Sequence, residues 1–428
     1  MKRSLDFFEK SFTIFGLLYF TATLNFFGGV TSAKDPTLQA ANVTDGNSLL
    51  AIMQNGVLAV TLLLNCIRYK QIIYLASRRK FLWALTGLIF LSFLWSAVPD
   101  LTLKRSVTFL GLILFGLNVS ARYSLREQLF ILAWAMGIMV AINLMFALAL
   151  PSVGIEAGEH GGAWRGVYVQ KNLLARMAVL SSMTFLLAAL ESYSKRYILW
   201  IGLGFSILLV LLSTSKGALL TLVVLLVMLP MFSALRASRS FALPLSIIAL
   251  LCVSIFAITV IGNTETIVKF LGRDLTLTGR TGIWSVVISK IAQHPWVGYG
   301  YKGFWLGMEG DSADVWYETF FMAPHSHNGF LDVTVELGLI GLSFFLLTFG
   351  KSCVRAIAWL RLNPTAEGLF PIMYLLFIVL YNLAENTLTD PNYFVWALYS
   401  SITTSVLIQP ISAPRSSFDS THITTIET

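Results

Sequence analysis

Twelve apolar runs of roughly 17 to 24 residues constrain this chain more than any other feature. A helix needs about 20 mostly apolar residues to cross the hydrocarbon core of a bilayer, and each run is free or nearly free of charge. We therefore predict an all-α, polytopic membrane protein with about twelve transmembrane helices. The runs cover residues 11–32, 48–66, 81–98, 103–121, 128–150, 172–190, 197–214, 217–235, 240–262, 327–350, 368–384 and 391–409.

The composition agrees with lipid as the main solvent of the chain. Of its 428 residues, 56% are hydrophobic and 12% are charged, whereas soluble domains carry about 25% charged residues. This balance excludes an ordinary soluble enzyme, a disordered protein and a nucleic-acid-binding protein, although the formal net charge is +8. The three cysteines are too few for a disulfide scaffold, and they lack the spacing of a metal site.

Basic residues predict which side of the membrane each loop faces. With the N-terminus inside, the cytoplasmic segments hold eighteen Lys and Arg residues and the short outer segments hold six, which favours both termini in the cytoplasm. Residues 1–262 would then form helices 1–9, residues 263–326 an outer loop domain, residues 327–409 helices 10–12, and residues 410–428 a cytoplasmic tail. Loops longer than about 12–15 residues are usually functional, so we expect any chemistry on the outer, periplasm-like face.

Several basic residues lie on or near the outer side despite this bias, and each needs a reason. The candidates among them are Arg105, Arg165, Lys171, Arg176, Lys216 and Arg280. One interpretation is a converging set of cations that binds a polyanion at the membrane surface; the other is that these side chains extend to lipid headgroups. Arg176 favours the first, because it lies roughly 7 Å deeper along a helix than Lys171, where a charge without a partner is costly.

The long loop contains a predicted amphipathic helix from Thr278 to His294. Its apolar residues recur at helical spacing and Pro295 follows the run, so we expect the helix to lie on the membrane surface. Arg280 falls in the first turn, where unpaired N–H groups and the helix dipole already favour an anion. A cation at that position indicates an anion that Arg280 and the N-terminal end of the helix would bind together.

Two histidines precede the tenth apolar run. After His325 and His327, the polar residues Asn328, Asp332 and Glu336 follow at spacing i, i+4, i+8, which places them on one helix face, turned away from lipid. Imidazole titrates near neutral pH, so a histidine beside the cations is a candidate general base. A zinc site is the alternative, but the HxH pair lacks a third ligand at a familiar spacing.

Five segments of the chain resemble the O-antigen ligase and polymerase family of bacterial envelope glycosyltransferases, in particular its exopolysaccharide-polymerase-like branch. They are WSAVPDLTLKRS (95–106), WRGVYVQKN (164–172), LLSTSKGA (211–218), GRTGIW with HPWVGYGYKGFW (within 279–305) and HSHNGFLDVTVELGLIG (325–341). The resemblance implies a twelve-helix protein of the bacterial inner membrane with a large periplasmic loop between helices nine and ten. It also implies an undecaprenyl-pyrophosphate-linked glycan as donor and a saccharide or lipid A–core acceptor.

The resemblance also assigns roles by position. Arg280 would be the loop arginine that binds the pyrophosphate, and His327 the histidine that activates the acceptor. Further candidates for pyrophosphate binding are Lys216, Arg165, Lys171 and Arg176, with Lys216 standing where many members have arginine. Secondary candidates for the site are His325, Asn328, Asp332, Arg105 and Glu385. We expect transfer with inversion at the sugar C1, without a metal or another cofactor, since cations can stabilise the leaving group.

Two alternatives stay open at this point. The chain could be a polytopic transporter of a small anion such as bicarbonate, although transporter sites tend to lie near the bilayer midplane and these cations gather at one face. Within the enzyme hypothesis, the sequence does not distinguish a ligase, which joins a finished glycan to a lipid acceptor, from a polymerase, which extends a chain by repeat units.

Overall fold

A computed structural model of the protein describes residues 2–28, 48–157, 161–192, 196–235, 278–389 and 394–408. Within these ranges the chain forms fifteen α-helices and no β-strand. The helices are α1 (Lys2–Phe20), α2 (Ser48–Ile67), α3 (Tyr69–Ser77), α4 (Lys80–Leu91), α5 (Pro99–Arg122), α6 (Leu125–Ala149), α7 (Pro151–Gly154), α8 (Lys171–Glu191), α9 (Arg196–Leu212), α10 (Lys216–Ala234), α11 (Thr278–Gln293), α12 (Ala313–Thr319), α13 (Gly329–Leu362), α14 (Ala366–Asn382) and α15 (Phe394–Ile408).

The helices confirm the all-α, polytopic membrane class. Six of them, α2, α5, α6, α8, α10 and α13, are long and apolar enough to cross a membrane, and α4, α9, α14 and α15 are shorter apolar helices. Together with α1, these described helices coincide with eleven of the twelve predicted spans. The ninth run (240–262), the loop residues 263–277 and the predicted tail lie outside the described residues. The count of twelve therefore stays a prediction.

Small side chains allow α8 to lie at the centre of the bundle. In its most apolar window, 83% of the residues are buried. Its Ser181 hydroxyl lies 2.7 Å from the Ser206 hydroxyl of α9, and a Cβ at Gly202 of α9 would come within 2.6 Å of the Phe185 ring. Small residues at helix contacts let two backbones approach closely in a membrane, so these positions set the spacing of α8 and α9.

The long loop has a hydrophobic core of its own, and this corrects the expected placement of its helix. The predicted helix exists as α11, but its apolar residues Ile283 and Val287 are buried against Val315 and Trp316 of α12 and Val335 of α13. The helix is therefore present, and the buried part of its apolar face packs on protein. A periodic apolar face identifies a buried surface, and here the surface that covers it is protein rather than lipid.

A break in α13 joins this loop core to the bundle. Gly338 has φ +66°, a conformation that glycine adopts without penalty, and a Cβ there would lie 2.2 Å from the Trp296 carbonyl. Backbone groups near the break bond to the segment that follows α11: the Leu339 amide donates to the Pro295 carbonyl at 2.8 Å and the Ile340 amide to the Trp296 carbonyl at 3.2 Å. The segment carrying the two histidines is thereby attached to the bundle at a defined angle.

Candidate active site at one end of the bundle

Several helix ends meet on the same side of the bundle and bring the predicted residues together. The N-terminal ends of α8, α10 and α13 lie there, together with the C-terminal end of α14 and the first turn of α11. The residues at these ends come from five separate parts of the sequence. Most of the sequence-predicted site residues belong to this group.

Glu385 is the residue on which the contacts converge. Its Oε2 atom lies 3.1 Å from His327 Nδ1, and its Oε1 atom lies 3.5 Å from Arg280 Nη2. Oε1 also accepts a hydrogen bond of 3.3 Å from the side-chain nitrogen Nδ2 of Asn172. The side chains of Glu385, His327 and Arg280 are 18%, 19% and 25% exposed, so the group is partly enclosed yet open to a ligand.

A turn after α14 fixes the position of Glu385. The Asn382 side-chain oxygen accepts the Thr387 amide at 2.9 Å and the Leu388 amide at 3.2 Å, and this closes the turn around Glu385. The Glu385 carbonyl accepts the Gly329 amide at 3.2 Å. A Cβ at Gly329 would come within 2.0 Å of the Asn382 oxygen, so the start of α13 must pass this turn as a glycine. These contacts place Glu385 beside His327.

His327 is held in a strained turn at the start of α13. It has φ +55°, a left-handed conformation that costs a residue other than glycine roughly 1–3 kcal/mol and clusters at functional sites. Asn328 caps α13 by accepting the Phe330 and Leu331 amides at 3.0 and 3.2 Å. The Ser326 hydroxyl closes the turn by accepting the Asn328 amide at 3.1 Å. Asn328, a secondary candidate, thus acts here as a helix cap.

His325 lies beside His327 and shares its surroundings. Its Nδ1 atom accepts the His327 backbone amide at 3.1 Å, and the two ring centroids are 4.3 Å apart. Burial, and in second place the electrostatic effect of the adjacent His327 ring, lowers the pKa of His325 well below its usual value. Because desolvation disfavours the charged form, the His325 ring is neutral at physiological pH.

The carboxyl of Glu385 is ionised because of its neighbours. Burial by itself raises its pKa, but the electrostatic effects of His327 and Arg280 and the hydrogen bond from His327 outweigh burial and bring the pKa of Glu385 to about 2. A carboxylate that stays ionised is a hydrogen-bond acceptor only. His327 Nδ1 must therefore carry the proton in their hydrogen bond, so that whenever the ring is neutral its acceptor nitrogen is Nε2.

The polar stripe on α13 faces the protein, as predicted, and anchors the loop. Asp332 and Glu336 are fully buried. Asp332 Oδ1 accepts hydrogen bonds of 3.0 Å from the Trp305 indole and from the Ser326 amide, and Glu336 Oε2 accepts the Lys302 amide at 3.1 Å. Asp332 therefore fixes the turn that carries the histidines and does not contact Glu385 or Arg280 through these bonds.

The remaining predicted cations divide into two groups. Arg176 and Lys171 lie next to the site: Arg176 Nη1 donates to the Asn386 carbonyl at 3.2 Å, one residue beyond Glu385, and Lys171 Nζ lies 3.4 Å from the Thr214 hydroxyl. Arg165 instead supports the loop before α8, because its guanidinium donates to the Val153 and Val169 carbonyls at 2.8 and 3.1 Å.

Lys216 and Arg105 differ in their exposure. Lys216 is exposed at the first residue of α10, at the same end of the bundle as Glu385. Arg105 is buried on α5 with 2% of its surface exposed. Lys216 is therefore open to a ligand at this end of the bundle, whereas Arg105 is enclosed by protein.

Asn172 is a site residue that sequence reasoning did not select. Its side-chain nitrogen Nδ2 donates to Glu385, and its side-chain oxygen accepts a hydrogen bond of 3.1 Å from the Ser215 hydroxyl. These two bonds connect α8, the start of α10 and the turn after α14. It stands beside Lys171 in the segment WRGVYVQKN. A search for charged residues in the sequence does not find Asn172, because its side-chain amide carries no charge.

Three of these residues also have the composition of a metal site. The ligand atoms of His325, His327 and Glu385 all lie within 4.8 Å of one another. Glu385 thus supplies the third group that the HxH pair lacks in sequence, from 58 residues further along the chain. Arg280 is close to the same carboxylate, and a cation there competes with a metal ion for it.

Comparisons with known proteins find similarity to proteins of polysaccharide production and ligation. A family described as O-antigen ligase matches residues 201–346. The exopolysaccharide production protein ExoQ of Rhizobium meliloti is 27% identical over 321 residues, which cover 71% of this chain and 72% of that protein. A protein of Rickettsia felis named "Putative polysaccharide ligase" is 25% identical over 372 residues, or 82% of this chain and 85% of that protein. Over these ranges the chain is similar to O-antigen ligases and polysaccharide ligases.

The family match covers part of the site. The matched range includes Lys216, Arg280, His325 and His327, whereas Glu385 lies outside it. The longer alignment with the Rickettsia felis protein extends the similarity over most of the chain. These relatives are named for exopolysaccharide production and for polysaccharide ligation, and the chain is similar to them over most of its length.

Proposed function

We propose that this protein is an inverting, metal-independent membrane glycosyltransferase that moves a glycan from an undecaprenyl-pyrophosphate donor to a saccharide or lipid-saccharide acceptor. The observation that carries the proposal is the contact of Glu385 with both His327 and Arg280. A proton acceptor and a cation for a phosphate group are the two parts that such a transfer needs, and one carboxylate links them.

His327 is the proposed base that activates the acceptor hydroxyl. The hydrogen bond from Nδ1 to Glu385 fixes the tautomer in which Nε2 accepts a proton, and the nearby carboxylate stabilises the imidazolium that forms. The acceptor oxygen bonds to C1 of the donor sugar, its proton passes to Nε2, and the electron pair of the breaking C1–O bond leaves with the pyrophosphate. Attack from the face opposite the leaving group inverts C1.

The cations stabilise the leaving group in this proposal. Arg280 lies in the first turn of α11, where the helix dipole adds to its attraction for an anion. A guanidinium can bind phosphate oxygens in a bidentate manner. Lys171, Arg176 and Lys216 supply further positive charge at the same end of the bundle. A pyrophosphate that approaches Arg280 takes over the contact that Glu385 makes with it here, and Glu385 then serves His327 alone.

The partners of Glu385 support a mechanism without a metal ion. One oxygen is bonded to His327, and the other contacts both Arg280 and Asn172, so each oxygen already has a donor. Fixed cations aimed at developing negative charge can supply the stabilisation that a metal ion gives elsewhere. The transfer therefore needs groups of this chain only.

The proposed site faces the periplasm. The excess of basic residues in the short loops at the other end of the bundle favours a cytoplasmic position for that end, which leaves Glu385 and its partners on the outer face and both termini inside. The similarity to an exopolysaccharide production protein and to a ligase covers both the polymerase and the ligase form of the reaction. The anion-transporter alternative gains no support from these relatives.

Transfer by the purified protein tests the proposal. Protein in detergent is given a radiolabelled lipid-pyrophosphate glycan and an acceptor saccharide, and we expect a labelled product of inverted anomeric configuration, formed in the presence of EDTA. The Glu385→Gln variant should be strongly impaired. The Glu309→Gln variant, which changes an exposed glutamate outside this group, should match the wild type. Anion uptake by proteoliposomes without glycan transfer would overturn the proposal.

A further inference from the structure

We propose that His325, His327 and Glu385 form a Zn²⁺ site whose occupancy stops glycan transfer. The binding part of this inference stands on the geometry alone, and the inhibition part rests on the proposed function. The three residues come together from the HSHN turn and from the turn after α14, and their ligand atoms already lie within 4.8 Å of one another.

The distances suit a zinc ion with little rearrangement. Zn–N and Zn–O bonds of about 2.0–2.2 Å in a tetrahedral site place neighbouring ligand atoms roughly 3.2–3.6 Å apart. His327 Nδ1 and Glu385 Oε2 are 3.1 Å apart, close to that separation. The His325 Nδ1 atom is engaged by the His327 backbone amide, so His325 would coordinate through Nε2. Three protein ligands leave a fourth position for water.

The donor set distinguishes between metals. Two imidazole nitrogens and one carboxylate match zinc and related transition metals, whereas Mg²⁺ and Ca²⁺ prefer oxygen ligands. The His325 ring is half-buried beside the His327 ring, and a neutral imidazole is the form that binds a metal. We therefore expect micromolar Zn²⁺ to bind and Mg²⁺ to leave the site unoccupied.

Arg280 makes the site conditional rather than permanent. Its guanidinium is 3.5 Å from Glu385 Oε1, and a Zn²⁺ ion bound to the same carboxylate repels it. The Arg280 side chain is 25% exposed, so it has room to turn toward solvent or toward a bound phosphate. The anion that we propose for Arg280 thus favours the metal-free site, and Zn²⁺ and donor oppose each other through this residue.

Occupancy by Zn²⁺ removes the proposed base. When Zn²⁺ takes the lone pair of His327 Nδ1, the proton of the neutral ring must lie on Nε2, and Nε2 then cannot accept the proton of the acceptor hydroxyl. The metal also withdraws Glu385 from Arg280. Loss of the base lowers the rate of the chemical step, and EDTA should restore that rate. Because Zn²⁺ and donor oppose each other through Arg280, a saturating donor concentration should also reduce the inhibition.

Direct binding tests the site without reference to activity. The full-length protein, freed of metal with EDTA and passed over a desalting column, is titrated with ZnCl₂ by isothermal calorimetry. We expect one ion per chain, and we expect His325→Ala and Glu385→Gln each to weaken binding by at least about tenfold, the usual effect of removing groups that support a metal site. His294→Ala is the matched control, because His294 packs edge to face against Tyr299 and is not one of the three ligands, so this variant should bind as the wild type does.

Transfer assays test the inhibition. Zn²⁺ should inhibit the wild type and His294→Ala reversibly, and the ratio of rates with and without Zn²⁺ should return toward one in His325→Ala. Equal Zn²⁺ affinity in the wild type and in both ligand variants would overturn the site. A metal-free enzyme that gains activity on Zn²⁺ addition would overturn the inhibitory role. Absence of any transfer by the wild type would refute the proposed function, while the calorimetry still decides the site.

Discussion

Glu385 Oε2 lies 3.1 Å from His327 Nδ1, although 58 residues separate the two in sequence. The histidine stands at the start of α13 and the glutamate just after α14, two helices that run in opposite directions. The short distance depends on the turn closed by Asn382 and on the helix cap at Asn328. This pair is the basis of the first two predictions.

Replacing His327 should abolish most of the rate while keeping the donor bound. We expect His327→Ala to lower kcat by roughly 10²–10⁴-fold, the usual share of acid–base catalysis, whereas His325→Ala should have a milder effect, because His325 has no direct hydrogen bond to Glu385 in the described contacts. Single-turnover transfer and binding of undecaprenyl pyrophosphate measure the two quantities. Equal and small losses in both variants would contradict the assignment of the base.

The pH dependence should not involve Glu385 or His325. The pKa of Glu385 is about 2 and the pKa of His325 is far below its usual value because of burial, so between pH 5.5 and 8 neither group changes its charge. We therefore expect the ratio of kcat in the wild type to kcat in His325→Ala to stay constant over this range, measured by single-turnover transfer. A ratio that changes with pH would show that His325 titrates in this range and would contradict its assignment as a neutral ring.

Glycan transfer should depend on the shape of the Arg280 side chain as well as on its charge. Arg280→Lys keeps the cation but loses the planar, bidentate guanidinium, so transfer should drop clearly. Arg280→Ala should drop further, by about 10²–10³-fold, as for the loss of one donor to a developing anion. Arg126→Lys is the control, since Arg126 pairs with Glu191 at the opposite end of the bundle. Wild-type turnover at saturating donor in both Arg280 variants would remove this residue from the pyrophosphate site.

The break in α13 gives a prediction on stability. Gly338→Ala places a Cβ at φ +66° and within 2.2 Å of the Trp296 backbone, which should destabilise the protein by at least roughly 1–3 kcal/mol. Gly350→Ala, on the same helix with no atom within 4 Å of the added carbon, should be neutral or slightly stabilising. Thermal unfolding in detergent, followed by tryptophan fluorescence, compares them. A Gly338→Ala variant as stable as Gly350→Ala would show that the backbone around the break in α13 can move to accommodate the added carbon.

The sequence predicted the class of fold and most of the charged groups because these depend on local patterns. Runs of about 20 apolar residues indicate spans without knowledge of their neighbours, and an arginine on the outer side is unusual wherever it lies. The HSHN turn was recognisable for the same reason. These features led to Arg280 and His327, which the structure brings to one carboxylate.

The partners of these groups were not predictable in the same way. Glu385 was only a secondary candidate, because its link to His327 and Arg280 arises from the packing of α13 against α14 and from the loop core. Asn172 was passed over for lack of a charge, and it joins three segments. The apolar face of α11 was assigned to the membrane surface because periodicity shows that a face is buried but does not show what buries it.

The break in α13 at Gly338 separates two parts of the protein that can vary independently during evolution. His327 and Arg280 are carried by a segment with its own hydrophobic core, whereas Glu385 and Asn172 are carried by the bundle. The reactive pair is therefore completed only where two separately packed parts meet. Residues of the loop core that would select a different acceptor can vary while the helix bundle keeps its sequence. The condition is that the hydrogen bond between His327 and Glu385 is preserved.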